Sequence, residues 1–272
     1  MLTIKNKKKE KNSRSFPYSY KKIKINSILL IVERRTYMQT KSISSYDGTK
    51  IYYKICGKGK PLIFLHGNAG SPRVFKKQIP LFANFFQLVF MESRDHGRSS
   101  NNSTTLNFEQ MARDLACICS AENFKTIDLL GYSDGAMIAM WFAHLFPQKV
   151  HKMILNAGNI TPDGLKVRPR FGATLLYYGL KCLSFIPLTR KYLRIVHLII
   201  VQCGLNWQDL EKISTPSLVI AGENDIIKTA HTKKIAHSIP NSQLVIIPSG
   251  NHRMLKTNAS LFNKYVLDFL HP

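Results

Sequence analysis

Short apolar runs alternate with helically spaced apolar positions along most of this chain. The first signal is a hairpin: residues 43–45 and 50–55 flank Asp47-Gly48, a dipeptide suited to a tight turn between strands. Lys60-Pro61 opens the run Leu62-Ile63-Phe64-Leu65, which stops at His66-Gly67, and 88–91 is a second run of that kind. Phe108, Met111, Ala112, Leu115 and Ile118 or Cys119 return at the spacing of one helix face, and Asn107 with Gln110 three residues later forms a capping pattern ahead of them. Residues 126–130 predict another buried strand. The stretch 135–146 is apolar on nearly every side, which predicts a deeply buried helix ended by Pro147. Strands are predicted at 152–155, 217–220 and 244–247, and helices at 228–238 and 260–270.

Apolar strands alternating with helices predict an α/β fold, a mostly parallel sheet with helices on both faces and an antiparallel hairpin at one edge. The chain shows no internal repeat. Residues 162–208 break the alternation; they are too long for a plain crossover and helical in composition, so they read as a helical lid inserted between two parts of a core at 38–161 and 209–272. Residues 1–37 lack any sustained period and are rich in Lys, Asn and Ser, as expected of a disordered basic extension or an upstream stretch absent from the mature protein, since Met38 could itself begin the domain.

Length and composition exclude several classes. A chain of 272 residues with 44% hydrophobic positions can bury a large core without metal or disulfide, which excludes a disulfide-stapled miniprotein, a collagen and a largely disordered protein. Five scattered cysteines (56, 117, 119, 182 and 203) without a C-x-x-C pair predict reduced thiols. Cys117 and Cys119 sit two apart on a predicted helix and point to different faces. The apolar run 28–32 is short for a secretory signal and is followed by Glu33-Arg34-Arg35; the longest apolar stretch, 171–188, is broken by Lys181. The expected location is therefore the cytoplasm. The formal charge of +23, of which +9 lies in residues 1–37, bears on partners rather than on fold.

Candidate chemistry centres on Gly131-Tyr132-Ser133-Asp134-Gly135, a G-x-S-x-G sequence between a predicted strand and a predicted helix. That context makes a strained turn that lifts Ser133 above the sheet, with Gly131 and Gly135 where side chains would clash. A serine hydroxyl needs a base. His252, just after the last apolar strand, is the best placed of nine histidines. His96 is its serious rival, and His144 lies inside a helix. Asp225, after the strand at 218–221, is the candidate to orient the imidazole, with Glu223 as the near alternative. Two backbone N–H groups would bind a developing oxyanion: Asp134, after the nucleophile, and Asn68, in the loop His66-Gly67-Asn68. His66 is expected to anchor that loop by a hydrogen bond.

With these residues in this order, the stretch from about 40 to 270 resembles the α/β-hydrolase fold family. The resemblance rests on His66-Gly67-Asn68, Asp95-His96-Gly97-Arg98-Ser99, the Ser133 elbow, Gly222 with Asp225, and Asn251-His252. It implies an eight-stranded, mostly parallel sheet and a Ser133/Asp225/His252 triad that works with no cofactor and no metal. Ser at position 133 sets the chain apart from that family's dehalogenases and epoxide hydrolases, which place an aspartate there. Its elbow resembles that of small serine esterases of the valacyclovir hydrolase type. Glu92-Ser93-Arg94 departs from the family's usual aspartate-containing stretch, and Asn251-His252 from its frequent Gly-His order.

The expected function is thus hydrolysis of a small or hydrophobic carboxylic ester through an acyl-enzyme on Ser133. The alternative is a lyase, C–C bond hydrolase or acyltransferase on the same fold and triad, and a third class is a binding protein with a vestigial triad. The expected partner is a small-molecule acyl substrate, with no specific nucleic acid. Residues 164–208 combine seven Lys and Arg with no Asp or Glu and many apolar residues. They read either as an amphipathic cap with solvated charges or as a surface for anionic esters or an anionic membrane, a contact the basic N-terminus could share.

Overall fold

The computed structural model describes residues 38–271, so the expectations placed on 1–37 lie outside the described residues. Eight strands form one sheet: β1 (Gln39–Ser44), β2 (Lys50–Gly57), β3 (Lys60–Leu65), β4 (Phe86–Met91), β5 (Ile127–Tyr132), β6 (Val150–Asn156), β7 (Ser217–Asn224) and β8 (Ser242–Asn251). Their spatial order is β1-β2-β4-β3-β5-β6-β7-β8. The predicted hairpin β1–β2 sits at one edge, antiparallel, and β2 is antiparallel to β4; the other neighbours are parallel, so the sheet is mixed.

Strand side chains alternate between two cores, as the pleat requires. Ile63, Leu65, Val89, Met91, Leu129 and Met153 face one side, where they pack with α2 (Phe108–Ala121), α3 (Asp134–Leu145) and α7 (Thr229–Ser238). Leu62, Phe64, Leu88, Phe90, Leu130 and Ile154 face the other. There they meet Phe82 of α1 (Ile79–Phe82), Met254 and Leu255 of α8 (Met254–Thr257), and Phe262 and Val266 of α9 (Ala259–Leu270). Helices therefore cover both faces. The predicted capping box at Asn107 and Gln110 is present: each side chain accepts from the other's backbone N–H, at 2.8 and 3.2 Å. Cys119 is buried and Cys117 only partly so, the two faces expected of their spacing.

Between β6 and β7 run α4 (Val167–Cys182), α5 (Pro187–Ile200) and α6 (Trp207–Glu211). Helix α4 buries none of its residues, whereas α5 buries Ile195, Val196 and Leu198. Helix α6 straddles residue 208, where the predicted insertion ends, and Trp207 is fastened to α7 by Lys234, whose Nζ lies 3.9 Å from the indole centroid. Among the described residues no helix is long and apolar enough to cross a membrane.

The Glu92-Ser93-Arg94 departure has a structural explanation. Arg94 is fully buried and grips both oxygens of Asp114 on α2, at 2.7 and 2.6 Å, while donating to Asp47 in the β1–β2 turn at 2.8 Å. Burial would raise the Asp47 carboxyl, but the guanidinium beside it holds it down at about 2. Glu92 in turn accepts from the Arg98 backbone N–H (2.8 Å) and pairs with the Arg98 guanidinium. Arg94 thus ties the loop after β4 to the hairpin and to α2, while the Glu92–Arg98 pair closes the loop on itself.

Candidate active site

The β5–α3 junction is a sharp strand-to-helix turn. Ser133 has φ 53° and ψ −120°, a left-handed conformation strained for a side chain. The turn closes only because its flanks are glycines: a Cβ on Gly131 would lie 2.2 Å from the Gly135 oxygen, and one on Gly135 would lie 2.0 Å from the Leu65 oxygen. Ser133 N–H donates to Asn156 O of β6 at 2.8 Å, and Ala136 N–H to Ser133 O at 2.8 Å, so the strained residue is held on both sides.

The apolar runs alone predict strands that end at 220 or 221 and at 247. In the structure β7 continues to Asn224 and β8 to Asn251, and after a register shift these two residues pair. Asp225 and His252 follow directly. His252 Nδ1–H donates to Asp225 Oδ1 at 2.8 Å, and the Ser133 hydroxyl lies 3.2 Å from His252 Nε2. Because a carboxylate can only accept, Nδ1 carries the proton and Nε2 is free to accept from Ser133. Asp225 is 1% exposed, and its Oδ1 also accepts the Ile227 N–H at 3.0 Å. The near alternative, Glu223, is exposed and accepts from Ser249 N–H at 3.0 Å instead.

The other histidines have different work. His96 is buried; its Nε2 accepts from Ala69 N–H at 3.1 Å and its Nδ1–H donates to Arg94 O at 2.9 Å. His66 repeats the pattern, taking Ser93 N–H at 3.2 Å and donating to Gly67 O at 2.8 Å. Burial pulls both imidazoles below their ordinary range, His66 to about 3, so both are neutral fasteners of the loop after β3. His144 stands edge-on to Trp141 on α3.

Asn68 and Asp134 meet beside the elbow. Gly67 brings the loop close enough that a Cβ there would lie 2.9 Å from Ser133 Cβ. The Asn68 side-chain amide donates to Asp134 Oδ2 at 2.8 Å and to Ile195 O on α5 at 2.7 Å. That three-way tie between the loop, the elbow and α5 is not visible in sequence, where Asn68 is singled out only for its backbone. Burial pushes the Asp134 carboxyl up to about 6, against the opposing pull of the Asn68 hydrogen bond and of nearby His252. Arg194 of α5 also clamps Asp95 through two hydrogen bonds of 2.7 and 2.8 Å.

A cavity of about 250 Å³ opens over Ser133 and His252. Asn68 and Asp134 border it, and its walls are mainly apolar: Met137 from α3, Leu165, Leu198 and Ile199 from α5, and Ile226 and Ile227 after β7. Tyr132 lies alongside His252 with ring centroids 5.2 Å apart, and burial pushes its phenol up to about 12. Among the described residues no group of three or more His, Cys, Asp or Glu is arranged to hold a metal ion.

Comparison with known proteins agrees with this architecture. The family model described as alpha/beta hydrolase fold matches residues 60–178. The chain is 26% identical over 253 residues to the human protein Serine hydrolase BPHL, covering 82% of this chain and 84% of that protein. Among solved structures it is similar to the esterase EaEST of Exiguobacterium antarcticum, with a TM-score of 0.73 and 20% identity, covering 85% of this chain and 99% of that one. It also superimposes on the meta-cleavage product hydrolase CumD of Pseudomonas fluorescens IP01, with a TM-score of 0.69 and 17% identity, covering 85% and 97%.

Proposed function

The chain belongs to the α/β-hydrolase fold family of enzymes, and from that premise we propose that it is a serine hydrolase acting on small, apolar carboxylic esters through an acyl-enzyme on Ser133. The observation that carries the reading is the hydrogen-bonded line from Ser133 through His252 to Asp225. Ser133 Oγ attacks the ester carbonyl carbon while its proton passes to His252 Nε2. Asp225 holds the imidazole in the tautomer that can accept it and stabilises the imidazolium that forms. The carbonyl oxygen becomes an oxyanion facing the Asn68 and Asp134 N–H groups, with Asp134 at the first turn of α3 where the helix dipole favours negative charge. His252 then gives its proton to the leaving alkoxide as the tetrahedral adduct collapses. A water, deprotonated by the same imidazole, releases the acid.

Cavity size and lining support the substrate class. At about 250 Å³ the space is below the range of pockets for drug-sized ligands, and its walls are aliphatic. A short apolar acyl group fits that description. Helices α4 and α5 serve as the lid, since α5 supplies Leu198 and Ile199 to the cavity wall. All five cysteines are free, which supports a reducing compartment such as the cytoplasm.

A panel of p-nitrophenyl esters of increasing acyl length tests the reading. Short esters are expected to turn over and Ser133→Ala to abolish that turnover. Absent ester cleavage, with Ser133 still labelled by a phosphonate, favours lyase, C–C bond hydrolase or acyltransferase chemistry on the same side chains.

A further inference from the structure

Among the described residues, the α4–α5 hairpin presents an apolar surface that no other element covers. Of the fourteen large hydrophobic side chains exposed among the described residues, ten lie between 167 and 192. Val167, Phe171, Leu175 and Tyr178 recur at four, four and three residues, so they form one stripe along α4. Phe185, in the turn, and Leu188, at the start of α5, extend it, exposed by 72% and 67%. Scattered exposed apolar residues need no explanation, but a concentration of this kind marks a contact surface.

Charge selects the partner. Residues 164–208 carry seven Lys and Arg and no Asp or Glu. Arg194 is paired with Asp95 and Arg170 with Asp163; Lys166, Arg168, Lys181, Arg190 and Lys191 form no ion pair among the described residues, and Arg190 Nε donates to Ser184 O at 3.0 Å. A second copy of this hairpin would set like charges against one another across a two-fold axis, a costly arrangement. An apolar stripe edged by cations instead matches the interface of a bilayer, where the stripe enters the acyl boundary and the cations meet anionic headgroups. We propose that the α4–α5 hairpin docks the protein on membranes containing anionic lipids. The C-terminal end of α5 lines the cavity through Leu198 and Ile199, so the helix that begins at the docking surface ends as a wall of the pocket. The docking does not depend on the hydrolytic reading.

Co-sedimentation of the full chain with vesicles tests it, using equimolar phosphatidylcholine and phosphatidylglycerol against phosphatidylcholine alone. Partitioning is expected to favour the anionic vesicles and to weaken as salt is added. The quadruple variant Phe171→Ser, Leu175→Ser, Phe185→Ser and Leu188→Ser should lower it by roughly tenfold or more, because binding scales with the apolar area buried. Neutralising Arg168, Lys181 and Arg190 to Gln should weaken binding to anionic vesicles while leaving the weak binding to neutral ones. All these side chains are exposed, and thermal melts that match the wild type are the check that the variants fold. Ser133→Ala should sediment like the wild type, which separates docking from catalysis. A full chain that stays in the supernatant overturns the proposal, as does a quadruple variant that partitions unchanged. So does a dimer that the quadruple variant converts to monomer.

Discussion

Asn224 and Asn251 face each other at the ends of β7 and β8, and this pairing delivers the two residues that follow, Asp225 and His252, to the same place. The two strands run parallel, so both chains leave the sheet at its carboxyl end, where the β5–α3 elbow also emerges. The register shift just before the pair re-aims the strand ends. Three side chains far apart in sequence thus share one edge because their strands share one direction.

Replacing Asp225 by Asn keeps the size of the side chain but lets it donate to Nδ1, favouring the wrong tautomer of His252. Steady-state kinetics should show kcat lower by roughly 10³–10⁴-fold with a much smaller change in KM. His96→Gln should leave the pH dependence of kcat/KM unchanged, because His96 only fastens Ala69 and Arg94. A pH profile that moves with His96 rather than with His252 would contradict this assignment.

Asn68 holds the loop after β3 to both Asp134 and Ile195. Asn68→Ala retains the backbone N–H and removes only the ties. Loss of positioning should lower kcat on the order of 10–100-fold. An effect confined to KM would mean that the amide binds substrate rather than placing the loop.

The Asp134 carboxyl is raised from 3.8 to about 6 by burial, so the native state holds its proton more tightly than the unfolded chain does. Its stabilising contribution is complete below 3.8 and is lost as pH rises through about 6. Asp134→Asn should therefore melt higher than the wild type at neutral pH, by up to about 2–3 kcal/mol of stability. The two proteins should converge in acid, a trend that thermal melts across pH will read.

Arg94→Ala leaves Asp114 buried without its cation. Denaturant unfolding should show a loss of about 3–5 kcal/mol. Ester turnover per folded molecule should change little, since Arg94 works by joining α2 to the β1–β2 turn.

Where the physics is local, the sequence was readable. The runs at 62–65 and 88–91 are apolar on both faces, as strands covered on both sides must be, and the structure makes them adjacent parallel strands. The elbow was readable because its glycines answer to clashes within a few residues. Gly222, Asn224, Pro248 and Asn251 have loop composition, yet pairing between β7 and β8 overrides their propensity. Arg94 looked like a departure from a pattern, because only the folded chain brings Asp47 and Asp114 to it. The Asn68 contacts were hidden for the same reason: their acceptors lie 66 and 127 residues away.

Intact-protein mass spectrometry after reaction with a fluorophosphonate tests the central claim most directly. The account predicts one adduct, mapped to Ser133, absent from Ser133→Ala and strongly slowed in His252→Ala. An adduct on another residue, or labelling that proceeds unchanged without His252, would contradict it.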